Sequence, residues 1–377
     1  MRSKSLRALL LISVVLAGVA TVRVAGDTEP RSAGDNDPRT AAGTDAPTSG
    51  DGGRGSATAT IKPVITGLID RDGIAAPDVQ SVVNSFVVNV GWAELQPEQG
   101  GAIMVDNPID QAVSTARQAA ARPQGEPIQV KVRLFSGVQA PDWAKQLGGP
   151  SVPVTDTVDG RSGSVGRFWE PEFGRAYAKL QEQLAARYDD VAEIAEVTAS
   201  RCTTIYAEPF VRQVTDPGTV KALLDAGFSA DADRRCLEEQ VEAHRVWSLT
   251  RTSVAFNPYQ RIEPDGSVLP DVDFTKSMMR QCRKVLGPRC VLENNSIRWP
   301  PLRGKAYDAM YETMSQLGPP LAFQTAVPRR IGDWRATLQW AVDRGANAVE
   351  LNSEYRSYPA ADLARFAAGL KGNQRGS

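Results

Sequence analysis

Short apolar runs alternate with longer amphipathic stretches from Lys62 onward. The runs are rich in Val, Ile, Leu and Phe and are too short to be buried helices, so each predicts a buried β-strand. Eight such runs occur, at Val64–Ile69, Phe86–Val90, Ile128–Leu134, Ile194–Thr198, Ser253–Asn257, Cys290–Glu293, Leu321–Gln324 and Asn347–Leu351.

Between these runs, apolar residues recur with the period of an amphipathic helix. Residues 171–188 carry theirs at steps of three and four, at Phe173, Tyr177, Leu180, Leu184 and Tyr188. Eight strands alternating with helices predict an α/β fold, a single (β/α)8 TIM barrel over residues 61–372. A doubly wound sheet is the alternative, but the chain lacks the glycine-rich first turn that such a sheet commonly carries.

The N-terminal residues 1–26 have the pattern of a targeting segment. Three basic residues precede an apolar run from Ala8 to Val22, and the small residues Ala25 and Gly26 follow. This order is typical of a secretory signal peptide, and the run is short for a bilayer span of about 20 residues. An uncleaved N-terminal membrane anchor is the alternative. Either interpretation predicts a secreted or extracytoplasmic protein.

Residues 27–60 form a segment of different composition. From Asp27 to Thr60 there is no Val, Ile, Leu, Met, Phe, Tyr or Trp. Such a segment cannot bury enough apolar surface to offset its chain entropy, so we predict a disordered linker. Its Gly50-Asp-Gly-Gly-Arg-Gly55 matches the dinucleotide-binding pattern, but no strand precedes the match and no helix follows it.

Composition excludes several classes of function. The 377 residues include 43 basic and 44 acidic side chains, and a net charge of −1 offers no electrostatic attraction to nucleic acid. The single histidine, His244, cannot build a His-rich zinc site, and we expect it to be structural. We therefore expect no metal and no cofactor. We also expect the protein to be a monomer and to contact a membrane only through an uncleaved N-terminal segment.

The four cysteines are expected to form two disulfide bonds, because export exposes them to an oxidising compartment. Cys282 and Cys290 flank Gly287-Pro288, which suits a helix end bridged to the following strand. Cys202 and Cys236 are then the remaining pair. Four free thiols are the alternative.

Four late strands are predicted to end in a carboxylate or an amide: Asn257, Glu293, Gln324 and Glu350. The carboxyl ends of barrel strands carry the active site. An unpaired carboxylate at a buried strand end is costly, so the two glutamates suggest chemistry. The structural alternative is an ion pair with an inward arginine such as Arg133.

Three segments resemble clan A glycoside hydrolases, above all the family 42 β-galactosidases. Gly91-Trp-Ala-Glu-Leu-Gln-Pro97 follows the second strand, residues 168–188 are similar to the helix before the fourth strand, and Tyr206-Ala-Glu208-Pro209 resembles the Asn-Glu-Pro motif of the clan. The resemblance implies that Glu208 is the acid/base residue. The chain departs from the clan at Ala207, which replaces Asn, and at Gln324, which stands where the clan has its nucleophilic Glu.

Glycoside hydrolysis needs two carboxyl groups, one protonated and one ionised. We predict Glu208 as the general acid, with Glu350 or Glu293 as base or nucleophile. Glu208 is expected to have a raised pKa in an apolar setting, and Glu350 to be held ionised, with Arg356 close enough in sequence to do so.

Sugar binding calls for aromatic platforms and planar hydrogen-bonding groups around the cavity mouth. The residues predicted to bind substrate follow the strands or lie in the loops above them: Asn89, Trp92, Arg133, Trp143, Tyr206, Asn257, Tyr259, Asn294 and Gln324.

The sequence thus predicts a secreted glycoside hydrolase acting on an oligo- or polysaccharide. A catalytically silent carbohydrate-binding barrel is the first alternative, because glutamine cannot act as a nucleophile or base. A cell-wall scaffold is the second alternative; it predicts carboxylates paired with arginines and a cleft filled by side chains.

Overall fold

The computed structural model describes residues 60–123 and 125–374. Within this part of the chain, eight parallel strands close into a barrel with helices around it, which confirms the predicted (β/α)8 fold. The predicted signal peptide and, apart from Thr60, the predicted linker lie outside the described residues. The domain boundaries therefore stay predictions.

The barrel strands follow one another in chain order, and the last pairs with the first. Gly67 pairs with Ala348 where the barrel closes. The strands are β1 Gly67–Asp70, β2 Ser85–Gly91, β3 Gln129–Phe135, β4 Ile194–Thr198, β5 Arg251–Ala255, β6 Cys290–Ile297, β7 Leu321–Thr325 and β8 Ala348–Leu351. All eight predicted runs correspond to these strands, with shifts of a few residues at their ends.

Eleven α-helices lie in the described residues. They are α1 Trp92–Leu95, α2 Pro108–Ala120, α3 Asp142–Lys145, α4 Pro171–Tyr188, α5 Pro217–Asp225, α6 Ala230–Ala243, α7 Val272–Leu286, α8 Lys305–Leu317, α9 Pro328–Ile331, α10 Trp334–Asp343 and α11 Ala360–Gly372. Short 3-10 helices are found at His244–Val246, Gly287–Arg289 and Ser353–Ser357. None of the helices in this part of the chain is both long and apolar enough to cross a bilayer.

Helix α4 illustrates how apolar residues at helical spacing in the sequence form a buried face in the structure. Its predicted apolar positions, from Phe173 to Tyr188, are all buried against the barrel. Pro171 occupies the first turn, where a missing N–H costs nothing. Helix α2 begins in the same way, and the side chain of Asn107 accepts the backbone N–H of Ile109 at 2.8 Å.

Two antiparallel hairpins were not anticipated from the sequence. Val152–Asp156 pairs with Arg161–Val165 in the segment after β3, and Tyr259–Ile262 pairs with Val268–Asp271 in the segment after β5. Each turn contains an Asp-Gly dipeptide whose glycine, Gly160 or Gly266, has a positive φ. This turn signal was present in the sequence. Both hairpins extend from the carboxyl ends of strands, where an active site is expected.

Both predicted disulfide bonds are present. Cys202–Cys236 joins the loop after β4 to α6, and Cys282–Cys290 joins α7 to the start of β6. All four sulfur atoms are buried in the main hydrophobic core. The bridges fit an oxidising compartment.

Candidate functional site

A cavity of about 610 Å³ lies at the carboxyl ends of the barrel strands. Five of the predicted site residues line it: Asn89, Arg133, Tyr206, Glu208 and Gln324. The wall also contains side chains that the sequence did not single out, among them Arg71, Asp156, Asp159, Arg161, Gln213 and Arg330. The cleft is therefore open, unlike the filled cleft of the scaffold alternative.

Glu208 lies in the loop after β4 and faces the cavity. Its Oε1 accepts a hydrogen bond of 2.9 Å from the Nδ2 of Asn295. Burial raises the pKa of Glu208 because it penalises the ionised form, although Asn295, Arg133 and Arg71 act in the opposite direction. A carboxyl group in this environment can hold a proton that it later donates.

Glu350 is fully buried on β8, inside the barrel. The Nζ of Lys131 lies 2.8 Å from its Oε1, Arg133 donates to both of its oxygens, and Gln324 donates to its Oε2 at 3.0 Å. Although burial alone would raise its pKa, Arg133 and Lys131 hold the pKa of Glu350 well below its usual range.

The two pKa directions are those expected from the sequence, but the arginine is a different one. Arg133 holds Glu350 ionised, whereas Arg356 pairs with Asp70 at 3.2 Å. Sequence proximity suggested Arg356, and only the closure of the barrel places β3 against β8.

Glu293 on β6 belongs to the same buried network. Its Oε2 lies 2.7 Å from the Nζ of Lys131, which also contacts Glu196 on β4 at 2.9 Å. Burial raises the pKa of Glu293 to about 7, against the attraction of Lys131. Neither Glu293 nor Glu350 is among the cavity-lining residues. Both thus show the ion pairing that was the structural alternative for these strand ends.

Lys131 is the centre of this network and was missed by sequence reasoning. The sequence feature that could have identified Lys131 was the alternation in β3. Lys131 and Arg133 are two residues apart on that strand and so point to the same face. Both are buried, which places two cations on the inward face of the barrel.

Two predicted tryptophan platforms do not reach the cavity. Trp92 is fully buried, and its indole N–H donates to Gln96 at 3.1 Å. Trp143 packs edge-on against it with the ring centroids 5.5 Å apart. The structure therefore gives Trp92 and Trp143 a packing role instead of the expected role in sugar binding.

Three further predicted binding residues also lie elsewhere. Tyr259 is buried and donates to the carbonyl of Ala230 at 3.3 Å. Asn294 is buried and accepts a bond of 2.8 Å from the hydroxyl of Tyr311. Asn257 lines a separate hollow of about 420 Å³. Tyr259 and Asn294 are therefore part of the buried core, and Asn257 lies outside the main cavity.

The first hairpin contributes the outer wall. The hydroxyl of Tyr206 lies 2.7 Å from Oδ2 of Asp156 and 3.0 Å from Oδ2 of Asp159. Asp159 also pairs with Arg330 at 2.8 Å, and with Arg329. These bonds connect the hairpin after β3 to the segment after β7 across the cavity mouth.

In the part of the chain that the structure describes, no group of three or more His, Cys, Asp or Glu residues is placed to hold a metal ion. His244 is buried, with Nε2 2.9 Å from the hydroxyl of Tyr177 and Nδ1 3.3 Å from Oγ1 of Thr252. Burial lowers its pKa to about 3, so it stays neutral in a structural position, as expected.

The comparison with solved structures gives matches of low sequence identity, with TM-scores below 0.5. A β-amylase catalytic domain from Paenibacillus polymyxa is 11% identical with a TM-score of 0.47, covering 82% of this chain and 96% of that chain. Endo-glycoceramidase II from Rhodococcus sp. is 14% identical with a TM-score of 0.46, covering 78% and 76%. Morphinone reductase is 17% identical with a TM-score of 0.42, covering 83% and 87%.

Two of these structural neighbours are glycoside hydrolases and the third is a reductase. No family model and no curated protein matches the chain.

Proposed function

We propose that the protein is a secreted glycoside hydrolase that cleaves O-glycosidic bonds with Glu208 as the general acid. The observation that carries this proposal is the contrast between two carboxyl groups at one end of the barrel. Glu208 has a raised pKa and faces the cavity, whereas Glu350 is held ionised. A pair of carboxyl groups whose pKa values are pushed apart is what acid-assisted glycoside cleavage needs.

The two groups are electrostatically connected. The charge of Glu350 raises the pKa of Glu208, and Arg133 attracts both carboxylates. Ionised Glu350 therefore helps to keep the proton on Glu208 until the leaving oxygen takes it. Glu293 is the less suitable partner, because a pKa of about 7 leaves it partly protonated at neutral pH.

Gln324 lies between Glu350 and the cavity. Its amide donates to Glu350 at 3.0 Å and also lines the cavity wall. We infer that Gln324 and Arg133 must shift before Glu350 reaches a sugar or a water molecule. Without such a shift, Glu350 acts through its charge, by stabilising the positive oxocarbenium-like transition state.

Activity on a panel of oligo- and polysaccharides, followed by product NMR, tests the proposal. NMR reports turnover together with anomeric outcome, and therefore tells whether the carboxyl groups act as a close retaining pair or a wider inverting pair. We expect the natural protein to release reducing ends and Glu208→Gln to fail. Glu312→Gln is the matched control, because Glu312 is exposed on α8 and outside the cavity. Equal turnover by Glu208→Gln would exclude Glu208 as the acid.

A carbohydrate-binding barrel without turnover is the second candidate. It is favoured by the full burial of Glu350 and by Gln324, which the resemblance to clan A enzymes assigns to the position of the nucleophile. It predicts saturable glycan binding that Glu208→Gln leaves intact, with no products. Gln324→Glu restores a carboxyl group on the cavity wall, and gain of hydrolysis in that variant alone would support this candidate.

A further inference from the structure

Four arginines line the cavity, and only two of them are paired. Arg133 binds Glu350, and Arg330 binds Asp159 at 2.8 Å. Among the described residues, no carboxylate lies within ion-pairing distance of Arg71 or Arg161, although both line the cavity. Arg161 instead packs over the ring of Tyr206, 5.5 Å from its centroid.

Arg71 is the more unusual of the two, because its side chain is partly buried whereas that of Arg161 is exposed. Its Nη2 donates to the carbonyl oxygen and to Oγ1 of Thr325, whereas its buried Nε has no hydrogen-bond partner in the described residues. Burial lowers the pKa of Arg71, and the attraction of Glu350 offsets this only in part. Buried cations are normally paired with an anion, since an uncompensated charge is costly.

The acidic side chains of the wall do not supply that anion. Asp156 is bonded to Tyr206 and to the backbone N–H of Val158 at 2.8 Å. Asp72 follows Arg71 directly, but it is exposed and not in ion-pairing range. Glu350 is already paired with Arg133 and Lys131, and Glu208 keeps its proton in the proposed mechanism.

Two buried amides on the same wall have unused hydrogen-bonding groups. Asn295 donates to Glu208, and its Oδ1 has no partner in the described residues. Gln213 accepts from Thr204, and its Nε2 likewise has none. Both side chains line the cavity, and because buried polar groups are normally hydrogen-bonded, this unused acceptor and this unused donor favour a ligand with several hydroxyl groups.

We propose that the cavity recognises an acidic sugar, a hexuronate residue of a glycan, whose carboxylate pairs with Arg71. This inference rests on the proposed function and names its substrate class. Arg71 and Glu208 line the same cavity, so the acidic sugar lies in the cavity that also holds the general acid. Arg161 at the outer wall adds a second positive charge that attracts the ligand.

Matched ligands test this inference without any mutation. The probes are p-nitrophenyl glucuronides and galacturonides in both anomers, trigalacturonate, and the methyl ester of each, which removes the charge from the same sugar. Binding is measured by titration calorimetry at 10 mM and 500 mM salt, separately from turnover. We expect at least one acid to bind tenfold or more tightly than its ester, with only part of that preference lost at high salt, because a partly buried ion pair is screened less than an exposed one.

Arg71→Gln should remove this preference and leave ester binding unchanged, whereas Arg71→Lys should retain part of it. Arg335→Gln is the control, since Arg335 is an exposed arginine that pairs with Asp362 outside the cavity. A purely structural role of Arg71 would weaken the binding of acid and ester alike.

Two outcomes overturn the inference and leave the hydrolase proposal standing. One is turnover of neutral glycans with no preference for the acid over the ester. The other is tight binding of sulfated oligosaccharides but not of uronates, which would assign the arginine to a sulfate ester. Absence of binding and turnover with every glycan would overturn both proposals.

Discussion

Arg133 on β3 and Glu350 on β8 are joined across the interior of the barrel, with the Nη2 of Arg133 2.6 Å from the Oε1 of Glu350. Lys131 binds the same oxygen at 2.8 Å and Glu293 at 2.7 Å. The bottom of the cavity is therefore a closed ionic network, and each of its charges depends on the others. Stability and chemistry at this end of the barrel are coupled through that network.

Replacing Lys131 by Met should destabilise the fold strongly. Loss of its charge leaves Glu196, Glu293 and Glu350 with too few cations in a buried site, which costs about 3–5 kcal/mol. Urea unfolding followed by circular dichroism measures the loss. Lys179→Met is the control, because Lys179 forms an exposed pair with Glu182 on α4 and should contribute less than about 1 kcal/mol. Equal effects in the two variants would show that the network contributes no stability.

Glu293 should make stability fall as the pH rises. Its folded pKa of about 7 is above its unfolded value, so the folded protein binds more protons between about pH 4.5 and pH 7. The contribution of the protonated group is complete below that window and is lost as the pH rises through it. We expect Glu293→Gln to flatten the stability curve there, as measured by urea unfolding at several pH values.

Glu312→Gln provides the matched control for that measurement, because it makes the same chemical change on an exposed surface of α8. If Glu293→Gln follows the pH dependence of the natural protein, Glu293 does not carry the proton.

Glu208→Gln should remove the alkaline limb of the pH–rate profile. As a general acid, Glu208 works only while protonated, so activity falls as the pH rises through its raised pKa. The loss should reach about 10²–10⁴-fold with poor leaving groups and be much smaller with activated aryl glycosides. Initial rates on both substrate types over a pH series measure this. A change of the same size on both types would point to a binding role instead.

The two disulfide bonds should contribute unequally to stability. The Cys282–Cys290 loop has a sequence separation of 8 and the Cys202–Cys236 loop one of 34, which correspond to about 2–3 and about 4 kcal/mol of chain entropy. Double alanine variants of each pair serve as controls for one another, because all four cysteines are fully buried. Thermal and urea unfolding give the order. A reversed order would show that local packing outweighs loop entropy.

The fold could be predicted because its evidence is local. Each strand is a short apolar run, and helix α4 shows its buried face directly in the spacing from Phe173 to Tyr188. The disulfide pairing followed from the spacing of the cysteines and from the predicted export, and the structural role of His244 followed from its being the single histidine. The Asp-Gly turns of the two hairpins, at Gly160 and Gly266, were equally local signals and were available in the same way.

The functional partners of Glu208 depended on tertiary structure. Whether Glu350 and Glu293 face the cavity or the interior is decided by the register of strands distant in sequence, and Lys131 meets both only when the barrel closes. Burial then sets their pKa values, because desolvation and distant charges act together there. Trp92 shows the same limit, since its place after a strand does not tell whether the ring points into the cavity or into the core. Contacts between distant segments, and the burial they create, determine which side chains can meet a substrate.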